Sequence, residues 1–116
     1  MFTQKKDSPQ LSFIAQGCEL TGDFNFNGDV MISGKILGDI FTQGNLVVEA
    51  GGEINGDIQC QDISITGLVK GTVQCQKLHI SSTGLFEGDA YCEKLEVIDG
   101  GQFLGQRHRD AKLNIA

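Results

Sequence analysis

The sequence predicts an all-β, single-domain fold in which short strands wind into a parallel β-helix of about five to six coils. Three observations point to this fold. The chain of 116 residues contains 16 glycines and one proline, a balance that favours tight turns between hydrogen-bonded strands. A glycine-centred apolar motif recurs six times. Within each copy, apolar and polar residues alternate, which is the period of strands with one buried face.

The repeat is defined by six marker glycines spaced by 16, 18, 15, 17 and 17 residues. They are Gly22, Gly38, Gly56, Gly71, Gly88 and Gly105. An apolar residue stands two positions before each of the six glycines. The first five glycines are also followed by inward positions two and four residues later, and by an apolar pair seven to ten residues later. This rule fixes 26 positions, of which 25 are apolar and only Thr42 departs. Stacking the units as coils pairs equivalent strands and buries these columns.

Two short basic segments flank an acidic body. The formal net charge is −6, with +1 in the first ten residues, +2 in the last twelve and −9 between them. This acidic balance gives little support for a nucleic-acid partner. We predict a β-helical domain over residues 11–105 between a disordered N-terminal tail, residues 1–10, and a disordered basic C-terminal tail, residues 106–116.

The sequence predicts no catalytic, cofactor or metal site. The chain contains no Trp and one Tyr, which disfavours an aromatic-lined ligand cleft. Its two histidines are expected to serve no catalysis, because His79 lies between inward residues and so faces solvent, and His108 falls in the predicted tail. Acyltransferases with a left-handed β-helix keep a strict six-residue period, which spacings of 15 to 18 residues break. An acyltransferase-like enzyme is therefore a minor alternative.

Three cysteines, Cys60, Cys75 and Cys92, fall in one inward column of the repeat. Because the chain has no Cys-x-x-Cys pair, a zinc site is disfavoured. Small buried hydrophobic side chains are the favoured interpretation, and a disulfide between neighbouring coils stays open as an alternative.

Acidic residues follow most of the marker glycines and are expected to stack along one edge of the rod. They are Asp23, Asp39, Asp57 and Asp89. Aspartate is common in turns, which is the favoured explanation. A ladder of cation sites is the alternative, although Thr72 interrupts it.

Both ends of the predicted rod are apolar and carry no readable cap. Unpaired strand edges recruit other chains unless they are blunted, and monomeric repeat proteins normally carry polar caps. The predicted polymer interface consists of Leu11, Phe13, Ile14, Phe103 and Leu104. We therefore predict end-to-end homopolymers that form without nucleotide. The alternative is a monomeric β-solenoid module that presents its acidic face to a protein partner or a cation.

Several segments resemble the bactofilin family, and the resemblance covers about residues 11–105. The segments are Phe13–Gly17, Thr21–Asp23 and Gly28–Val30 at the start, and the turns Ile36–Ile40, Ile54–Ile58 and Phe86–Ala90. The resemblance implies a right-handed β-helix and a bacterial cytoskeletal polymer that forms without nucleotide. It also implies a scaffold at the cytoplasmic membrane for cell-wall enzymes or other morphogenetic proteins. Phe103 matches the C-terminal hydrophobic contact position of family filaments.

The N-terminal segment is similar to the short membrane-targeting segment of many bactofilins. Met1 and Phe2 can enter the headgroup boundary, while Lys5 and Lys6 face anionic lipid and contribute about 1 kcal/mol each. A filament would present many copies of this weak anchor. We therefore expect a cytoplasmic protein that is peripheral at the inner face of the cytoplasmic membrane. The chain has no apolar run near the roughly 20 residues that span a bilayer and no signal-peptide layout.

Overall fold

The computed structural model describes residues 11–108, and these residues form fourteen strands and no helix. The strands are β1 (Leu11–Ile14), β2 (Glu19–Thr21), β3 (Phe24–Phe26), β4 (Asp29–Ile32), β5 (Lys35–Leu37), β6 (Ile40–Thr42), β7 (Asn45–Val48), β8 (Glu53–Gln59), β9 (Asp62–Ile65), β10 (Leu68–Gln74), β11 (Lys77–Ile80), β12 (Leu85–Tyr91), β13 (Lys94–Val97) and β14 (Gln102–His108). The predicted tail at residues 1–10 lies outside the described residues, as do residues 109–116 of the other tail.

The strands form a parallel solenoid of about six coils, which confirms the predicted fold class. β1, β4, β7, β9, β11 and β13 make a six-stranded first sheet, and the remaining strands make the second sheet. Every strand pairing is parallel and joins equivalent positions of neighbouring coils. Each coil contributes one strand to the first sheet and one bent strand or two short ones to the second.

The core lies between the two sheets and consists of the predicted inward columns. Its fully enclosed side chains include Val30, Ile32 and Ile36 in the second coil and Leu78 and Ile80 in the fifth. Of the 26 positions fixed by the repeat, only Val97 is exposed, at 42%. Val97 lies in the last coil of the part of the chain that the structure describes, where no further described coil covers it.

Thr42, the one polar residue in the inward columns, is 2% exposed. Its hydroxyl donates a hydrogen bond to the carbonyl of Gly28 and accepts one from the amide of Gly44, at 3.1 Å. A buried hydroxyl is tolerated when its hydrogen-bonding capacity is met. Thr42 therefore occupies its inward position without leaving a buried hydroxyl that lacks a hydrogen-bond partner.

The marker glycines form the bend of the second sheet. Gly56, Gly71, Gly88 and Gly105 are in register in consecutive coils. Gly71 has a φ of +129°, and a Cβ built on it would lie 2.1 Å from the carbonyl oxygen of Gly56. Only glycine fits both the backbone conformation and this close approach of successive coils, which explains why the repeat is centred on it.

The C-terminal boundary differs from the sequence prediction, because β14 continues to His108 instead of ending near residue 105. Gln106, Arg107 and His108 pair in register with the end of β12. Backbone pairing needs no apolar side chain, so the loss of the inward pattern at Arg107 does not end the strand. The His108 ring stacks on Tyr91, with ring centroids 4.4 Å apart. His108 therefore belongs to the solenoid and not to the predicted tail.

Candidate assembly interface

The C-terminal end of the solenoid exposes part of its apolar core. Within residues 11–108, β13 and β14 each pair on one side only. Phe103 is half-buried in the inward column, and its ring lies 5.2 Å from the ring of Phe86, centroid to centroid. Leu95 is half-buried and Val97 is exposed in the same last coil. Leu95, Val97 and Phe103 form the C-terminal core end, beside strand edges that no further coil of the described residues pairs with.

The N-terminal end has the same character. Ile14 is in register with Ile32, and Leu20 is in register with Ile36. The stacked rings of Phe24 and Phe26, with centroids 6.3 Å apart, continue the inward columns through β3. All of them are half-buried. The N-terminal core end consists of Ile14, Leu20, Phe24 and Phe26.

The structure divides the five residues of the predicted polymer interface into two groups. Ile14 and Phe103 lie at the ends of inward columns. Phe13 is in register with Met31 on the outer side of the first sheet and is 56% exposed. Leu104 is in register with Glu87 on the outer side of the second sheet and is 49% exposed. The backbone of Leu11 is in register with that of Asp29.

This division has a simple physical cause, which is that successive residues of a strand point to opposite faces. The sequence prediction took adjacent residues at each end, such as Phe13 with Ile14 and Phe103 with Leu104, whereas only alternate residues can join the core. It omitted Leu20, Phe24 and Phe26, and likewise Leu95 and Val97 at the other end. These five lie in the repeat's own inward columns, so the repeat rule itself was the signal that could have found them. Met1, Phe2, Lys5 and Lys6 lie outside the described residues.

A column of acidic side chains runs along the bend of the second sheet. Thr72 is in register with Asp57 on one side and with Asp89 on the other. The carboxylate of Asp39 accepts a hydrogen bond from the amide of Asp57, at 3.3 Å. Asp23, Asp39, Asp57 and Asp89, here called the acidic column, are all exposed. The predicted stacking along one edge is therefore present, and the carboxylate of Asp39 links two neighbouring coils.

The inward cysteine column borders an open groove of about 580 Å³. The groove is also lined by Phe41, Tyr91 and glutamine side chains, of which Gln59 donates a hydrogen bond to Gln74 at 3.1 Å. Two causes raise the pKa of the Cys75 thiol far above its usual range. The larger is a hydrogen bond with Cys60, and the second is burial of the thiol. Cys75 therefore stays protonated at neutral pH, and the four cysteines form no disulfide in the structure.

His79 pairs with an acidic side chain on the outer side of the first sheet. His79 lies on the outer side of β11, as predicted, and its Nδ1 is 3.2 Å from a carboxylate oxygen of Glu96. Within residues 11–108, no group of three or more His, Cys, Asp or Glu side chains is placed to hold a metal ion. The same residues contain no helix long and apolar enough to cross a lipid bilayer.

Comparison with known proteins gives one family and two similar structures. The model of the bactofilin family, described as polymer-forming cytoskeletal, matches residues 12–108. A cryo-EM reconstruction of Thermus thermophilus bactofilin double helical filaments has 30% sequence identity and a TM-score of 0.80, with 83% of this chain and 96% of that chain covered. The crystal structure of a phenylalanine-to-arginine mutant of Thermus thermophilus bactofilin has 29% identity and a TM-score of 0.73, covering 76% and 99%. No curated protein matches the chain.

Proposed function

Because this chain belongs to the bactofilin family of polymer-forming cytoskeletal proteins, we propose that it assembles end to end into nucleotide-independent filaments. These filaments lie at the inner face of the cytoplasmic membrane and act as a scaffold that recruits cell-wall or other morphogenetic proteins. The role is structural and uses no cofactor. The observation that carries the proposal is the presence of an open core end at each tip of the solenoid.

The two core ends offer both kinds of interaction that hold neighbouring coils together within the subunit. Half-buried side chains such as Phe24 and Phe103 can complete their burial against another subunit, at about 1 kcal/mol or more for each large side chain. Unpaired strand edges can extend the backbone hydrogen-bond ladders. Association costs at least several kcal/mol of translational and rotational freedom, so the proposed contact requires apolar columns and ladders together.

The sides of the rod support the scaffold role, because end-to-end assembly leaves them accessible. Each subunit then repeats the same outer faces along the filament, including the acidic column on one side. A repeated array converts weak single contacts with lipid or with partner proteins into stable attachment. The membrane attachment itself rests on Met1, Phe2, Lys5 and Lys6, two apolar and two basic residues at the N-terminus.

Deleting residues 2–6 is expected to abolish most of the binding to anionic vesicles while leaving polymerisation intact. The deletion removes one apolar side chain and both lysines, each lysine contributing about 1 kcal/mol near an anionic surface. Flotation of vesicles in a density gradient measures this, because filaments alone sediment and only lipid-bound protein floats. Zwitterionic vesicles serve as the control for the charge contribution. Equal flotation of the deletion variant and the wild-type protein would contradict the assignment of this segment.

The same samples test the polymer when vesicles and nucleotide are left out. Wild-type protein and the deletion variant should both pellet as large assemblies. A species of 12.5 kDa that persists at high concentration would contradict the filament and favour a monomeric binding module.

A further inference from the structure

The outer side of the first sheet carries an apolar strip near the N-terminal end of the rod. Phe13, Met31 and Val47 are in register on β1, β4 and β7 and point away from the core. Phe13 is 56% exposed, and the other two side chains are half-buried. The next outward residue in the column is Ser64, so the strip ends after three coils. We refer to Phe13, Met31 and Val47 as the apolar strip.

The apolar strip adjoins the point where the chain enters the solenoid. β1 is the first strand of the chain and lies on this sheet, next to β4. Lys5 and Lys6 precede Leu11 by six and five residues, a span of about 17–20 Å when extended. The described part of the chain therefore begins on the first sheet, within this span of the two basic residues.

The charge distribution favours the same side. The acidic column follows the bend of the second sheet, and this bend lies across the core from the first sheet. An anionic surface repels the side that carries four stacked carboxylates and turns the opposite side toward itself. The outer side of the first sheet carries Asp29, Asp62 and Glu96 together with Lys77 and Lys94, so its charges are more nearly balanced than those of the acidic column.

We propose that the outer side of the first sheet is the membrane-facing side of the protein, and that the apolar strip contacts an anionic lipid bilayer. This inference rests on the membrane attachment in the proposed function and adds the orientation of the rod. Phe13 enters the headgroup boundary beside the N-terminal segment. Because end-to-end assembly leaves this side free, the contact repeats once per subunit along a filament and lays the filament flat on the bilayer.

A tryptophan placed on each side of the rod tests this orientation, because the chain contains no Trp. Phe13→Trp reports on the apolar strip. Phe41→Trp is the matched control, since Phe41 is an exposed phenylalanine on the outer side of β6, at 42% exposure. Each full-length variant is mixed with phosphatidylglycerol-containing vesicles, with and without bromine-labelled acyl chains. Since interfacial side chains reach about 5–10 Å into the headgroup and acyl boundary, we expect about threefold or greater quenching at position 13 relative to position 41.

The outcomes separate the orientation from the attachment itself. Vesicle flotation of both variants with selective quenching at position 13 supports the inference. Flotation with equal or no quenching overturns the orientation and leaves membrane attachment standing. Failure of both variants to float overturns the attachment and the inference with it. A blue shift of Phe13→Trp on polymerisation without lipid would assign the apolar strip to contacts between copies of the chain, which also overturns the inference.

Discussion

Phe103→Arg is expected to abolish filaments and leave folded, soluble subunits. Phe103 ends an inward column, and among the residues that the structure describes it is covered only on the side of Phe86, so an arginine in the free subunit can direct its guanidinium into solvent. Between two subunits the same charge would be buried without a partner, which costs several kcal/mol. We expect association to weaken by at least about a hundredfold. Negative-stain electron microscopy detects the loss of filaments, and circular dichroism checks the β-fold.

Gln102→Arg is the matched control for this variant. Gln102 is the neighbouring residue of β14 and is exposed on the outer side of the strand. The same charge there should leave filaments intact. Filaments of Phe103→Arg that form at wild-type concentrations would show that the C-terminal core end is not a polymer contact.

Gly71→Ala is expected to destabilise the subunit by more than about 3 kcal/mol. Its Cβ would lie 2.1 Å from the carbonyl oxygen of Gly56, and the φ of +129° is strained for any L-residue. Both problems arise in the middle of the solenoid, between the fourth coil and its neighbour, where the backbone cannot move without breaking the ladders. A loss of this size lies beyond that of most point substitutions. Thermal unfolding in the Phe103→Arg background measures it without a contribution from the polymer.

Gly51→Ala provides the comparison. Gly51 also has a positive φ, +92°, but no atom lies within 4 Å of the position that a Cβ would take. We therefore expect a cost of only about 1–2 kcal/mol from backbone strain. Equal melting temperatures for the two variants would mean that close packing of the marker glycines does not hold successive coils together.

The inward columns were predictable because in-register stacking gives each repeat position the same environment in every coil. Once the marker glycines set the register, Ile36, Ile54 and Val69 had to point inward together. The same rule identified the acidic column. Thr42 shows its limit, since its burial depends on hydrogen bonds to Gly28 and Gly44 that residue type alone does not reveal.

The ends were harder to predict, because a terminal coil has a neighbour on one side only. Apolar character suggested that Phe13 and Leu104 belong to the ends of the core, whereas strand alternation turns both outward. The C-terminal boundary was also misplaced, since backbone pairing carries β14 past the last apolar residue. Arg107 shows how: its guanidinium leaves the inward column and donates a hydrogen bond to the carbonyl of Glu93, at 2.8 Å.

The sequence did not predict the groove beside the cysteine column. The shape of this groove depends on how the end of each second-sheet strand packs against the turn that follows it. The sequence placed Cys60, Cys75 and Cys92 in one column, and the structure keeps them there. The contact that holds the Cys75 thiol protonated depends on the separation of two side chains in neighbouring coils. A repeat period determines which residues align, but it does not determine that separation.

The central claim is that open core ends join subunits by continuing the stack of coils. Electron microscopy of the purified wild-type protein without nucleotide tests this claim most directly. Six coils at about 4.8 Å each predict an axial spacing of about 29 Å per subunit. Filaments with this spacing would agree with the account. Protein that remains dispersed, or filaments whose axial spacing is not close to six coil rises per subunit, would contradict it.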